Sequence, residues 1–127
     1  MPELPEVEVI RRDLMGRVEG RRIHRARIAE PRLTRRRGTP QELETALRGL
    51  RVRRLYRRGK FFVFHCGEES LVIRLGMTGQ LFWAEGGHDF SPDQHTHAEL
   101  SFDQGGTLYY RDIRKFGEMF ILPTAAV

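Results

Sequence analysis

Apolar residues recur at helical spacing at the start of the chain. Val7, Ile10 and Leu14 form one stripe, and Pro5 falls in a first turn, where its missing N–H is not needed. Gly16 and Gly20 then interrupt the pattern, and RRIHRARIAE (21–30) alternates with the short period of a half-buried strand. The stretch EPRLTRRRG (30–38) reads as an exposed basic loop. Thr39, Pro40 and Glu42 make a capping-box signature, continued by Leu43, Ala46, Leu47 and Leu50 as a second amphipathic helix. From Arg51 onward the period becomes that of strands. RVRRLYRRGKFFVFHC passes from an alternating arginine-rich segment into an apolar run, with Gly59 marking a turn or bulge between them. LVIRL, QLFWA, HAELSF, TLYYR and EMFIL follow, separated by turn signals such as Gly86-Gly87 and Asp103-Gln104-Gly105-Gly106. The pattern predicts an α+β fold, an antiparallel β-sandwich flanked by two helices. No repeat, low-complexity tract or interdomain linker divides it, so residues 1–127 are expected to form one domain.

Composition narrows the class of protein. A hydrophobic content of 39% with 31% charged residues suits a soluble globular chain. No stretch approaches the ~20 apolar residues of a membrane span. The acidic start is unlike a signal peptide, and the expected compartment is cytoplasmic. Cys66 is the only cysteine, which excludes an internal disulfide and any CxxC zinc site. The net charge is +5, but residues 11–60 alone hold 18 Lys or Arg against 5 Asp or Glu. All basic residues except Lys60 and Lys115 are arginine, the side chain suited to forked phosphate contacts. Nucleic acid is the partner this distribution implies.

The candidate chemistry begins at MPELPEVE. Removal of Met1 would make Pro2 a terminal secondary amine, with no amide resonance to blunt its lone pair. An α-amino group titrates near ~8, so a useful fraction is neutral and can attack an aldehyde-like carbon. Glu3 and Glu6 are close enough in sequence to move protons for it. The octet resembles the opening of the formamidopyrimidine-DNA glycosylase family. That resemblance implies that Pro2 is a Schiff-base nucleophile and Glu3 a general acid. Leu4 favours this branch over the sister endonuclease VIII branch, which usually has glycine there.

Three later segments extend the resemblance in order. In RRGKFF, spacing alone favours Lys60 as a strand-edge lysine that discourages pairing. The family instead uses such a lysine on the phosphate of the damaged nucleotide, which implies that role for Lys60. In RLGMTGQL, glycines on both sides of Met77 make a tight turn that pushes a deformable apolar side chain outward. Such tips can fill the gap left when a base is flipped from the duplex. In DIRKFGEMF, the resemblance implies that Arg114 pairs with the orphaned base and that Phe116 wedges beside it, completing a trio with Met77. The residue pattern leaves open a core role for Phe116 near Phe120. His95 and His97 stand two apart and on a strand would share a face. With no third ligand nearby, a metal site is not expected; the resemblance, to a family with a similar histidine-rich strand near the DNA backbone, implies a phosphate contact for both. Arg74 stands where many family members have histidine and could also reach a phosphate, without pH dependence near neutrality.

The resemblance therefore implies a base-excision-repair glycosylase and abasic-site lyase acting on oxidised purines, namely 8-oxoguanine and formamidopyrimidines. Its partner would be damaged double-stranded DNA, bound by a monomer in a bacterial cytoplasm at the nucleoid. No cofactor is expected in this chain, because the family's zinc site belongs to a C-terminal part with no counterpart here. An isolated domain is expected to be impaired in turnover. Two alternatives remain: a DNA-binding module without chemistry, and an endonuclease VIII-like enzyme for oxidised pyrimidines.

Overall fold

The computed structural model describes residues 4–86, 90–114 and 117–127. Helix α1 spans Leu4–Val18 and α2 spans Pro40–Leu47. The strands are β1 (Ile23–Ile28), β2 (Arg54–Arg58), β3 (Phe61–His65), β4 (Glu69–Arg74), β5 (Gln80–Ala84), β6 (Thr96–Phe102), β7 (Thr107–Arg111) and β8 (Glu118–Pro123). They form two antiparallel sheets, ordered β1-β6-β7-β5 and β2-β3-β4-β8. The fold is α+β, as the pattern predicts.

Alternation accounts for the layering. Leu55, Phe62, Phe64, Leu71, Ile73 and Met119 from one sheet meet Ala98, Leu100, Leu108 and Tyr110 from the other in a continuous core. Val7, Leu14 and Val18 bring α1 onto this core, and Leu43 and Leu47 bring α2. Thr39 caps α2 as expected: its Oγ1 accepts from the Glu42 N–H at 3.2 Å.

Local expectations fail in two places. Helix α1 runs through Gly16 and stops only near Gly20, whose φ of +88° a side-chain-bearing residue rarely adopts. The burial of Val18 outweighs the poor helix propensity of one glycine. The basic segment 30–38 is not wholly an exposed loop. Pro31–Thr34 forms a 3-10 turn that buries Leu33 and Thr34, and that packing anchors the arginines on either side.

The strand register determines what lies at each end of the sandwich. Across the second sheet, Arg58 pairs with Phe61, Phe61 with Arg74, and Arg74 with Glu118. One cross-strand row therefore carries the β2–β3 turn, the exit of β4 and the entry of β8. In the first sheet, Gln80 and Thr96 both pair with Arg111. The connections β4–β5 and β7–β8 thus cross between the sheets side by side at that same end.

Candidate functional site

Helix α1 is aimed at this end by its charges. The Arg57 Nε donates to Glu8 at 2.8 Å, and the Leu55 N–H donates to Glu19 at 2.8 Å. The early part of α1 therefore lies nearest the Arg58–Lys60 turn. Arg11 and Arg12 also grip Glu8, at 2.6 and 2.8 Å. The Arg11 guanidinium, then that of Arg57, holds the Glu8 carboxyl far below the usual carboxylate range. Leu4, the first described residue, is 43% exposed, and Glu6 is exposed. Pro2 and Glu3 lie outside the described residues, as does Phe116. Lys60 sits half-buried in the β2–β3 turn beside the cross-strand row.

The two crossover connections are pinned together. Met77 projects from the Gly76–Gly79 turn, closed by a 3.1 Å bond from the Gly79 N–H to the Gly76 carbonyl, and is 61% exposed. Arg114 reaches it from the other connection, with Nη1 3.5 Å from the Met77 sulfur. Beneath them is Asp112, which is fully buried. Its Oδ1 accepts from the Thr78 hydroxyl and from the Arg114 N–H at 3.0 Å. Its Oδ2 accepts from the Tyr110 hydroxyl at 2.8 Å. The Asp112 N–H donates to the His95 carbonyl at 2.9 Å, and its own carbonyl accepts from His97 Nε2 at 2.6 Å. Burial, then the Asp112 carboxylate, pushes the Tyr110 phenol well above its ordinary range, so it stays a donor.

A second network fastens the basic segment to the same end. Arg36 makes a forked contact with Glu118 at 2.8 and 3.0 Å, and Arg74 Nε donates to Glu118 at 2.9 Å. Arg35 Nη1 donates to the Gly117 carbonyl at 2.6 Å. Arg36, then Arg74, holds the Glu118 carboxyl down at about 2. Arg74, expected at a phosphate, is thus half-buried and bound to a carboxylate of its own chain.

The histidine pair does not share a strand face. His95 lies in the turn before β6, whereas His97 lies within β6 and is 4% exposed. A register shift between Thr96 and Ala98 breaks the two-residue alternation there. His97 is an internal donor in this structure, and only His95 has an accessible ring. Among the described residues, no group of three or more His, Cys, Asp or Glu side chains is placed to hold a metal ion.

The sequence reading missed Asp112, Thr78 and Glu118. It also missed Ile113, whose side chain is 56% exposed beside Arg114. Asp112 carried a signal, since it stands two positions before the candidate arginine. Its partner Thr78 is 34 residues away in sequence, however, and nothing local links them.

A family profile described as the formamidopyrimidine-DNA glycosylase N-terminal domain matches residues 1–119. The chain belongs to the formamidopyrimidine-DNA glycosylase family. The formamidopyrimidine-DNA glycosylase of Heliobacterium modesticaldum is 42% identical over 129 residues, covering 99% of this chain and 46% of the relative. The Lactococcus lactis enzyme, solved non-covalently bound to DNA containing an abasic site, superposes with a TM-score of 0.88 at 33% identity. That match covers 99% of this chain and 47% of the other. A structure of MutM with DNA containing carbocyclic 8-oxoguanine gives 0.88 at 34% identity, covering 99% and 46%. The chain spans about half the length of the relatives it matches. Among the described residues, no helix is long and apolar enough to cross a membrane.

Proposed function

We propose that this chain supplies the catalytic amine and the void-filling side chains of a base-excision DNA glycosylase and abasic-site lyase for oxidised purines. The observation that carries this reading is the exposed Met77 with the Arg114 guanidinium at its sulfur, in a chain of this family. An apolar tip and a forked donor on adjoining turns suit a site that props open a base stack. The relatives solved with abasic-site and 8-oxoguanine DNA support the choice of damaged duplex as partner. The protein would act as a monomer at the bacterial nucleoid.

After removal of Met1, the neutral Pro2 nitrogen attacks C1′ of the extruded nucleotide. The glycosidic bond breaks and its electron pair leaves with the base, which takes up a proton. Glu3 protonates the ring oxygen as the sugar opens, and the Pro2 nitrogen becomes an iminium at C1′. Glu6 relays protons to and from this centre. The iminium acidifies the adjacent C2′ position, so elimination expels the 3′ phosphate and then the 5′ phosphate. Water finally hydrolyses the imine and frees the amine. The sequence is redox-neutral. Lys60 contacts the phosphate of the damaged nucleotide, with His95 as a further backbone contact.

Borohydride trapping tests this reading. Protein with a verified Pro2 terminus is incubated with duplexes bearing 8-oxoguanine, thymine glycol or an abasic site, and then reduced. A covalent adduct with the 8-oxoguanine and abasic duplexes is expected. An adduct with thymine glycol in preference to 8-oxoguanine would point to the endonuclease VIII-like alternative. No adduct with any duplex would leave a DNA-binding module without chemistry.

A further inference from the structure

Met77 and Arg114 belong to different connections, one leaving β4 for β5 and the other leaving β7 for β8. Each exposed tip on a separate turn would have to be ordered separately on entering an opened stack, and ordering independent segments weakens binding. In this fold the two turns share a single buried anchor. We infer that Asp112 is a positioning residue that locks the Met77 turn to the Arg114 connection, so that both side chains enter the duplex as one unit.

The inference rests on the void-filling role given above to Met77 and Arg114, and the geometry extends it. Thr78, the residue after Met77, donates its hydroxyl to the same Asp112 oxygen that accepts the Arg114 N–H. The Arg114 N–H also lies 3.3 Å from the Thr78 hydroxyl oxygen, so the three groups close a triangle across the two connections. Tyr110 fixes the other carboxylate oxygen, leaving the side chain no freedom to turn away. Close packing restricts the connections further. A Cβ on Gly79 would stand 3.0 Å from the Gly76 nitrogen, and one on Gly117 would collide with the Tyr110 hydroxyl. Rigid mounting of the supporting groups keeps a functional tip in place.

An unstacking readout separates positioning from plain structural support. The full chain, at saturating concentration, is mixed with a duplex carrying a tetrahydrofuran abasic analogue and 2-aminopurine beside the orphaned base. Wild-type protein is expected to raise the fluorescence, and Met77→Ala to suppress the rise. Asp112→Asn leaves one acceptor oxygen where three donors converge, and Thr78→Val removes the bridging hydroxyl. Each is expected to lower the equilibrium constant for insertion about ten-fold, the change that loss of one charge-assisted hydrogen bond corresponds to. Thr78→Ser, which keeps the hydroxyl, should restore the signal. Should Asp112→Asn fail to fold, the two Thr78 variants carry the test. A normal rise in both Asp112→Asn and Thr78→Val, with Met77→Ala still suppressed, overturns the inference and leaves the void-filling role standing. Equal loss in Thr78→Val and Thr78→Ser, with lowered thermal midpoints, makes the contact merely structural and also overturns it. Absence of any rise with wild-type protein overturns the void-filling role, and the inference with it.

Discussion

Glu118 couples three elements through one carboxylate, because Arg36 comes from the basic segment, Arg74 from β4 and Glu118 itself from β8. Its carboxyl lies at about 2 instead of the ordinary 4.5. A carboxyl lowered by folding adds stability that is fully present above pH 4.5 and is lost as the pH falls through about 2. With allowance for the half-exposed Arg36, that contribution is on the order of 2 kcal/mol. Glu118→Gln should therefore destabilise the protein by about that amount at neutral pH. It should also flatten the acid limb of a denaturation series between pH 4.5 and about 2, and an unchanged limb would refute the assignment. At the same scale, a methyl group on Gly117 would meet the Tyr110 hydroxyl and would lie 2.8 Å from the Arg74 carbonyl. Gly117→Ala is expected to cost roughly 1–3 kcal/mol in chemical denaturation. For the chemistry, Glu3→Gln should slow opening of the sugar ring, and the strand scission that follows it, by about 10²–10⁴-fold while sparing DNA affinity, the range expected for loss of a general acid. Single-turnover kinetics with a parallel binding titration would check both parts. Sequence could expose Met77, because two glycines leave few alternatives to an outward turn. It could not place His97, whose inward position depends on a bulge that no local signal announces.

At the level of elements, short helices depend on their ends. The two-turn helix α2 begins at Thr39, whose side chain satisfies the Glu42 N–H. Thr39→Ala should cost about 1 kcal/mol, read as a lower thermal midpoint, with no effect on any DNA-dependent signal. Strand boundaries were legible because alternation and glycine-rich turns agree. QLFWA and TLYYR become β5 and β7 with the limits that their apolar pattern marks. The buried turn at Pro31–Thr34 was not legible, since arginines flank Leu33 and conceal one inward residue. Its arginines act across long sequence separations: Arg35 and Arg36 each reach a partner 82 residues away. Tertiary pairing of this kind has no periodic signature.

Across the whole molecule, the arginine bias serves two ends. Arg11 and Arg57 hold Glu8, Arg36 and Arg74 hold Glu118, and Arg111 holds Asp93, so part of the positive charge is spent inside the fold. The +13 balance of residues 11–60 therefore overstates the charge offered to a polyanion. Each phosphate contact contributes about 0.9 to the slope of log K against log salt. Lys60→Gln should lower that slope by about this amount, whereas Arg111→Gln, which removes a residue bound to Asp93, should leave it nearly unchanged. Equal effects of the two substitutions would show that internal pairing does not decide which cations meet DNA. The most direct test of the account is to locate the reduced protein–DNA crosslink by peptide mass spectrometry, since the chain offers only Lys60 and Lys115 as rival amines. The account predicts an adduct on the N-terminal peptide, at the nitrogen of Pro2. A crosslink on either lysine, with Pro2 free and unmodified, would contradict it.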